Sequence, residues 1–176
     1  LLSAGLTDMS KYVGLPIWST AGCTDAKVID PQAAAEAALS IHSAMLSGAN
    51  LVHDVGYTES AMTGSLFQLV MSDEIIGMSR RICQGIEVNE ETLAVDVIDR
   101  VGPGGNFLSE DHTLMHYKRE HWQPVLVDRW NYETWATQGK RNYQERLKEK
   151  TREILATHKG PQVSDQVKRK IEAILK

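Results

Sequence analysis

Cysteine is scarce. Cys23 and Cys83 are the two thiols of the chain, far apart in sequence, and they make neither a disulfide framework nor a clustered zinc site. A reducing, cytoplasmic setting is therefore expected. Long apolar runs are lacking too; none approaches the roughly 18 residues of a membrane-spanning helix, so no membrane contact is expected. Proline is rare, with 5 in 176 residues, and aromatic residues make up 6%. Repeats and low-complexity segments are absent. The chain opens on Leu1 with no secretory pattern, and it is expected to start inside a longer protein. What remains is 42% apolar and 24% charged, ordinary for a globular domain and long enough to bury one core.

Charge is unevenly spread. Residues 1–117 hold 5 basic and 15 acidic side chains, whereas residues 118–176 hold 14 and 8. In the basic part Glu145, Lys148, Glu149, Arg152 and Glu153 interleave at helical spacing. That pattern describes a solvated helix laced with ion pairs, and nucleic acid is not an expected partner.

In chain order, residues 1–12 carry a weak helical pattern ending near Gly14, and Val13 to Thr20 reads as a buried strand. A short glycine-containing loop, Ala21 to Lys27, follows. Asp30-Pro31 supplies an N-cap with proline at the first helical position. The helix runs through Ala33, Ala37, Ile41 and Ala44 until Gly48 stops it. Asn50-Leu51-Val52 reads as a second strand in need of burial. Thr63 or Ser65 then caps a helix ending near Gly85. Two consecutive βα units thus occupy residues 13–85, which implies parallel strands with right-handed crossovers. Two strands alone make no stable sheet, so further strands must come from preceding sequence or another copy, and a homo-oligomer is expected. Residues 90–101 read as one amphipathic helix, Ser109 opens another, and a long charged helix spans about 131–158. Gly160-Pro161 ends it and Ser164 caps a last short helix. The chain divides into residues 1–101, the βα units, and 102–176, a glycine-rich loop with a helical extension.

Chemistry concentrates just after the second strand. His53, Asp54, Tyr57 and Glu59 fall within seven residues around Gly56, at the strand end where α/β proteins bind ligands. Asp25 and Lys27 occupy the same position after the first strand. The plain alternative is a polar strand end that caps the next helix, with Asp25 and Lys27 paired on the surface. Gly102-Pro103-Gly104-Gly105 lacks the lysine and spacing of a phosphate loop and reads as a loop over a site or a turn. His112 and His116 share a helix face at a spacing that suits a metal, without the glutamate of a metalloprotease motif. Cys23 has no identifiable base and reads as a buried structural thiol. Trp130 and Trp135 read as packing anchors.

The runs Thr24-Asp25-Ala26-Lys27, His53-Asp54-Val55-Gly56-Tyr57 with Glu59-Ser60, and Gly102 to Leu108 followed by His112-Thr113-Leu114 and His116 occur in that order. Together they resemble the C-terminal part of the trimethylamine:corrinoid methyltransferase family over nearly the whole chain. The resemblance implies an α/β fold, the last two βα units of a (β/α)8 barrel followed by C-terminal helices. It implies transfer of a methyl group from an amine to Co(I) of a corrinoid on a separate cognate protein, with no tightly bound cofactor in this chain. Trimethylamine members carry pyrrolysine, which these residues lack. The His53–Tyr57 run is more similar to non-pyrrolysine members, some of which demethylate quaternary amines such as glycine betaine. On that reading His53, Asp54 and Glu59 are the catalytic candidates, and Tyr57, Asp25 and Lys27 would meet the small methylated amine. Gly104, Gly105 and His112 would face the corrinoid. Two other readings stay open: a docking or assembly segment without activity, and a metal-dependent hydrolase using His112 and His116.

Overall fold

A computed structural model describes residues 1–160 and 163–175. Helix α1 (Leu2–Tyr12) leads to β1 (Trp18–Thr20), α2 (Pro31–Ser47) and β2 (Leu51–His53). A small hairpin, β3 (Tyr57–Thr58) and β4 (Thr63–Gly64), precedes α3 (Leu66–Cys83). Short helices α4 (Glu90–Leu93), α5 (Val95–Val101) and α6 (Asp111–Glu120) follow, then α7 (Tyr132–Thr137), α8 (Tyr143–Thr157) and α9 (Asp165–Ile174).

The expected βα units are present. Strands β1 and β2 run parallel with Trp18, Ser19 and Thr20 opposite Leu51, Val52 and His53. Asp30 caps α2 by accepting from the Ala33 N–H, with Pro31 at its first turn, and Gly48 closes it in the left-handed conformation. Ser65, not Thr63, caps α3 through the Gln68 N–H. Ala33, Ala37, Ile41 and Ala44 form the buried stripe of α2. Their small side chains let it lie close to Met71 and Ile75 of α3, and Leu126 and Leu147 complete the core.

This packing decides which way the strands face. Ser19 is buried and Val52 packs on the core, so that face meets the helices. Trp18 and Leu51 point the other way and are 65% and 55% exposed. The expected burial of the second strand therefore holds on one face only, because among the described residues nothing covers the other. The first strand is also shorter than expected. Gly14 is left-handed and Pro16 lacks an N–H, which keeps residues 13–16 out of the ladder; the Ile17 carbonyl accepts from Leu51 N–H at 3.3 Å, while its own N–H donates to the Asn50 side chain at 3.0 Å.

Three helical readings need correction. Residues 90–101 form two helices, because Ala94 turns left-handed after an Asn89–Thr92 capping box. The helix expected from Ser109 begins at Asp111 with no side-chain cap; Glu110, at its mouth, pairs with Arg100 at 2.5 Å. The long charged helix is likewise two. Gly139 and Lys140 are both left-handed, and Asn142 with Glu145 builds a new capping box for α8. That helix ends at Thr157, before Gly160; Pro161 lies outside the described residues. Ser164 caps α9 as expected.

Tyr143, at the start of α8, is partly buried, and its phenol is pushed up to about 12 by burial first and by Glu74 second. Folding thus favours the protonated phenol. Its contribution is fully present below the ordinary tyrosine range near 10 and is lost as pH rises from there through about 12. Urea midpoints across that alkaline window should fall for the native chain and fall less for Tyr143→Phe. Equal slopes would mean that Tyr143 does not drive the loss.

Candidate functional site

The site is built from the two loops that leave the parallel strands. The β1 loop, residues 21–27, and the β2 loop, residues 54–65, are zipped together by backbone bonds. Ala21 N–H reaches the His53 carbonyl at 3.0 Å and Thr24 N–H reaches Tyr57 at 3.2 Å. Glu59 N–H and Ser60 N–H return to Ala26 and Thr24 at 3.0 and 3.1 Å. The helices fasten these loops from below. Ser40 accepts from Gly22 N–H at 3.0 Å, and the fully buried Gln68 donates to the Gly22 carbonyl at 3.1 Å.

The conformation of the β2 loop is costly. Asp54, Glu59, Ser60 and Ala61 all have φ between 52° and 73°, a region where side chains other than glycine's are disfavoured by about 1 kcal/mol each. Such strain persists where surrounding contacts over-determine it. Here they do: the Ser60 hydroxyl donates to Asp25 at 2.6 Å and the Thr63 hydroxyl donates to Glu59 at 3.0 Å.

Histidine 53 is held at three edges. Its Nδ1 lies 2.7 Å from Asp54 Oδ1, its Nε2 3.4 Å from the Thr20 hydroxyl, and its ring meets Trp18 edge-on at 5.0 Å. An ionised carboxylate can only accept, so in that contact Nδ1 is the donor. Tyr57 is 42% exposed. Lys27 does not pair with the Asp25 carboxylate; its ammonium donates to the Asp25 carbonyl at 2.8 Å.

Glu36 of α2 is the participant that sequence reasoning missed. It accepts from the Thr24 hydroxyl at 2.6 Å and from Asp25 N–H at 2.8 Å. Bonds from Thr24, Gln32 and Asp25 hold its carboxyl below the usual glutamate range. A signal existed, since Gln32, Glu36 and Ser40 make a polar stripe on an otherwise alanine-rich helix. Cys23 is half-buried rather than buried. Burial pushes its thiol up, backbone bonding to Ala61 opposes this, and nearby Asp54 and Asp25 push it further. Thr20, Cys23, Asp25, Glu36 and Ser40 line a cavity of about 410 Å³. Four carboxylates against one lysine make the strand ends suited to a cation, and Trp18 and Tyr57 add aromatic faces.

The structure therefore places Asp25 and Lys27 on one loop and His53, Asp54, Tyr57 and Glu59 along the neighbouring strand end and loop bonded to it, and of these six Asp25 lines the cavity. It does not join Gly104, Gly105 and His112 to them by any hydrogen bond among the described residues. Gly105 sits against the Val101 carbonyl of its own preceding helix, so the glycine loop folds back as a turn. His112 bonds the Glu91 carbonyl at 2.8 Å and stacks on His116 at 4.3 Å. His116 Nε2 lies 3.3 Å from the Glu91 carboxylate, within ion-pair range but without hydrogen-bond geometry. Among the described residues no group of three or more His, Cys, Asp or Glu is arranged to hold a metal. No helix is long and apolar enough to cross a membrane, among the same residues.

A family model described as trimethylamine methyltransferase (MTTB) matches residues 1–176. The chain belongs to this family. It is 35% identical to a trimethylamine methyltransferase of Desulfitobacterium hafniense, over 99% of this chain and 35% of the relative. It is 34% identical to the glycine betaine methyltransferase of Desulfitobacterium hafniense strain Y51, over 99% of this chain and 36% of that protein. A trimethylamine methyltransferase of Methanosarcina mazei is 36% identical, over 99% and 35%. The chain thus spans about a third of the length of these family members. The family expected from the strand-end motifs is the one found, and the α/β architecture agrees with it.

Proposed function

We propose that this chain is the strand-end segment of an enzyme that moves a methyl group from a quaternary amine to Co(I) of a corrinoid on a separate protein. The observation that supports the reading is that Asp25 stands on the loop leaving β1, hydrogen-bonded along its backbone to the loop of Asp54, Tyr57 and Glu59 that leaves β2, with Glu36 bonded to the first loop and Trp18 against the His53 ring. The exposed face of β1 and β2 fits the inner wall of a (β/α)8 barrel whose other strands lie outside these residues. The relatives named for trimethylamine and for glycine betaine support a methylated amine as substrate.

The corrinoid supplies the nucleophile; this chain supplies position and field. The electron pair of the breaking C–N bond stays with nitrogen, so a quaternary cation departs as a neutral tertiary amine and no general acid is needed. Tyr57 and Trp18 offer faces to the cation. Asp54 and Glu59 stabilise its charge before transfer, and His53 holds Asp54 in place. Asp25 and Lys27 line the mouth, where Lys27 suits a substrate carboxylate. Gly104, Gly105 and His112 remain assigned to the corrinoid-facing side.

The test uses the full-length protein containing this chain, a reduced corrinoid and a panel of quaternary and tertiary methylamines, with methylation followed by absorbance. Conversion with one quaternary amine is expected. Tyr57→Ala should then raise the barrier by about 1–2 kcal/mol, roughly a factor of ten in rate. An unchanged rate removes Tyr57 from the site. No conversion with any amine by folded protein would favour the docking reading, for which the open apolar face of Trp18 and Leu51 speaks.

A further inference from the structure

Thr24 is the node that joins the two strand-end loops, and each of its polar atoms is engaged. Its N–H donates to the Tyr57 carbonyl at 3.2 Å, and its carbonyl accepts from Ser60 N–H at 3.1 Å. Its hydroxyl, in a residue only 2% exposed, accepts from Ala26 N–H at 3.0 Å and donates to Glu36 Oε2 at 2.6 Å. The same Oε2 accepts from Asp25 N–H at 2.8 Å, while Oε1 accepts from Gln32, one turn earlier on α2, at 2.8 Å. Asp25 carries the connection onward. Its Oδ1 accepts from the Ser60 hydroxyl at 2.6 Å, at the tip where Glu59, Ser60 and Ala61 are left-handed in succession.

Each link of this path is a contact within the chain, whatever covers its outer faces. It starts on a helix and ends on the strained tip of the β2 loop, and Glu36 is its first acceptor. Glu36 also lines the cavity beside Asp25, where a carboxylate could meet a cation directly. Its bonds point elsewhere. Oε2 already takes two donors from the β1 loop, and such charge-assisted bonds are the strong ones. Truncating Glu36 would leave the Thr24 hydroxyl and the Asp25 N–H without this acceptor, so the backbone that carries the Asp25 carboxylate would lose its tie to α2.

We propose that Glu36 is a positioning residue for a methylated cation: it acts through Thr24 and Asp25, by fixing where the Asp25 carboxylate and the Ser60 tip stand, and not through its own charge. The inference rests on the reading of these strand ends as a cation site.

Glu36→Gln separates position from charge. Its amide oxygen can stand where Oε2 stands and accept both bonds, and Gln32 can turn its own amide to meet the new NH2 group. The full-length protein is titrated with tetramethylammonium chloride by calorimetry, native against variants. Glu36→Ala and Thr24→Val should each weaken binding at least about fivefold, and Glu36→Gln by less than about twofold. The Glu36→Ala, Thr24→Val double variant should bind no worse than Glu36→Ala, because both changes cut one path. Equal losses in Glu36→Gln and Glu36→Ala would show that the charge acts directly and overturn the proposal. Additive losses in the double variant, or full affinity in Glu36→Ala, would do the same. A 13C label at the Asp25 carboxyl gives a readout that needs no ligand. Its resonance should move in Glu36→Ala and Thr24→Val and stay in place in Glu36→Gln. If the native protein binds no tetramethylammonium, the cation reading fails, and the resonance alone decides the positioning; an unmoved signal in Glu36→Ala overturns it. Thermal midpoints check that each variant folds, and where Glu36→Ala does not, Thr24→Val against Glu36→Gln makes the comparison.

Discussion

Glu74→Ala should cost about 4 kcal/mol of stability and lower the melting temperature by about 10 °C. Glu74 is 6% exposed on α3. Its Oε1 accepts three successive backbone N–H groups, from Val125 at 3.1 Å, Leu126 at 2.7 Å and Val127 at 2.9 Å. Truncation leaves those donors without a partner, and Leu126 is only 2% exposed. Losing one member of a buried, charge-assisted set costs roughly 3–5 kcal/mol, and in a chain of this length each kcal/mol moves the midpoint by roughly 2–4 °C. The same turn anchors α8, since Arg146 donates to the Leu126 carbonyl at 2.8 Å and lies 3.7 Å from Asp128. The loss should therefore spread to the C-terminal helices. Glu74→Gln keeps an acceptor oxygen but not the charge and should lose about half as much. Urea unfolding gives the free energy, and amide exchange at Val125–Val127 identifies its location. A cost below about 1 kcal/mol would show that the turn holds without the carboxylate.

The same residue shows what the sequence left unreadable. Asp30, Pro31, Gly48 and Ser65 act within a few positions of themselves, so their roles as caps and stops were legible as local chemistry. Glu74 meets partners 51–53 positions away, and nothing in its own neighbourhood announces them. The helix breaks fail for a related reason. Ala94 and Lys140 are good helix formers, and each is left-handed because a fresh capping residue nearby, Asn89 before one and Asn142 after the other, offers its own N–H partners. Gly139 was the readable hint at the second break. Around the candidate site, motif spacing picked out His53, Asp54, Tyr57 and Glu59, which follow one another at one strand end. It missed Glu36, whose hydrogen bonds to Thr24 and Asp25 cross from helix to loop. The glycine loop shows how composition leaves two roles open. Its composition is that of a ligand loop, yet Gly105 is needed for close approach to Val101, which is a packing reason. The burial of the strands was half legible, because an apolar residue does not say whether the surface that covers it belongs to the same segment.

Gly22→Ala should be the most damaging small change in the strand-end loops, at about 3 kcal/mol. Gly22 has φ +81°, and a methyl there would stand 2.6 Å from Val55 Cγ1 and 3.1 Å from Val55 Cα. The left-handed conformation costs about 1–2 kcal/mol for any other residue, and overpacking adds roughly 1–3 kcal/mol. Relief by movement is blocked on one side, because Gly22 is pinned at both ends of its peptide by Ser40 and Gln68. Val55 must therefore yield, and it follows Asp54 directly in a stretch already strained at φ 73°. The His53–Asp54 contact should loosen as a result, visible as changed imidazole resonances in the nuclear magnetic resonance spectrum. The double variant Gly22→Ala with Val55→Ala separates the two costs. Removing Cγ1 should recover the steric part and leave the backbone part, a coupling of about 1 kcal/mol or more in the double-mutant cycle. Additive losses with an unmoved His53 would mean that Gly22 matters for its own torsion alone, and that the two loops are joined by their backbone bonds without a steric lock between them.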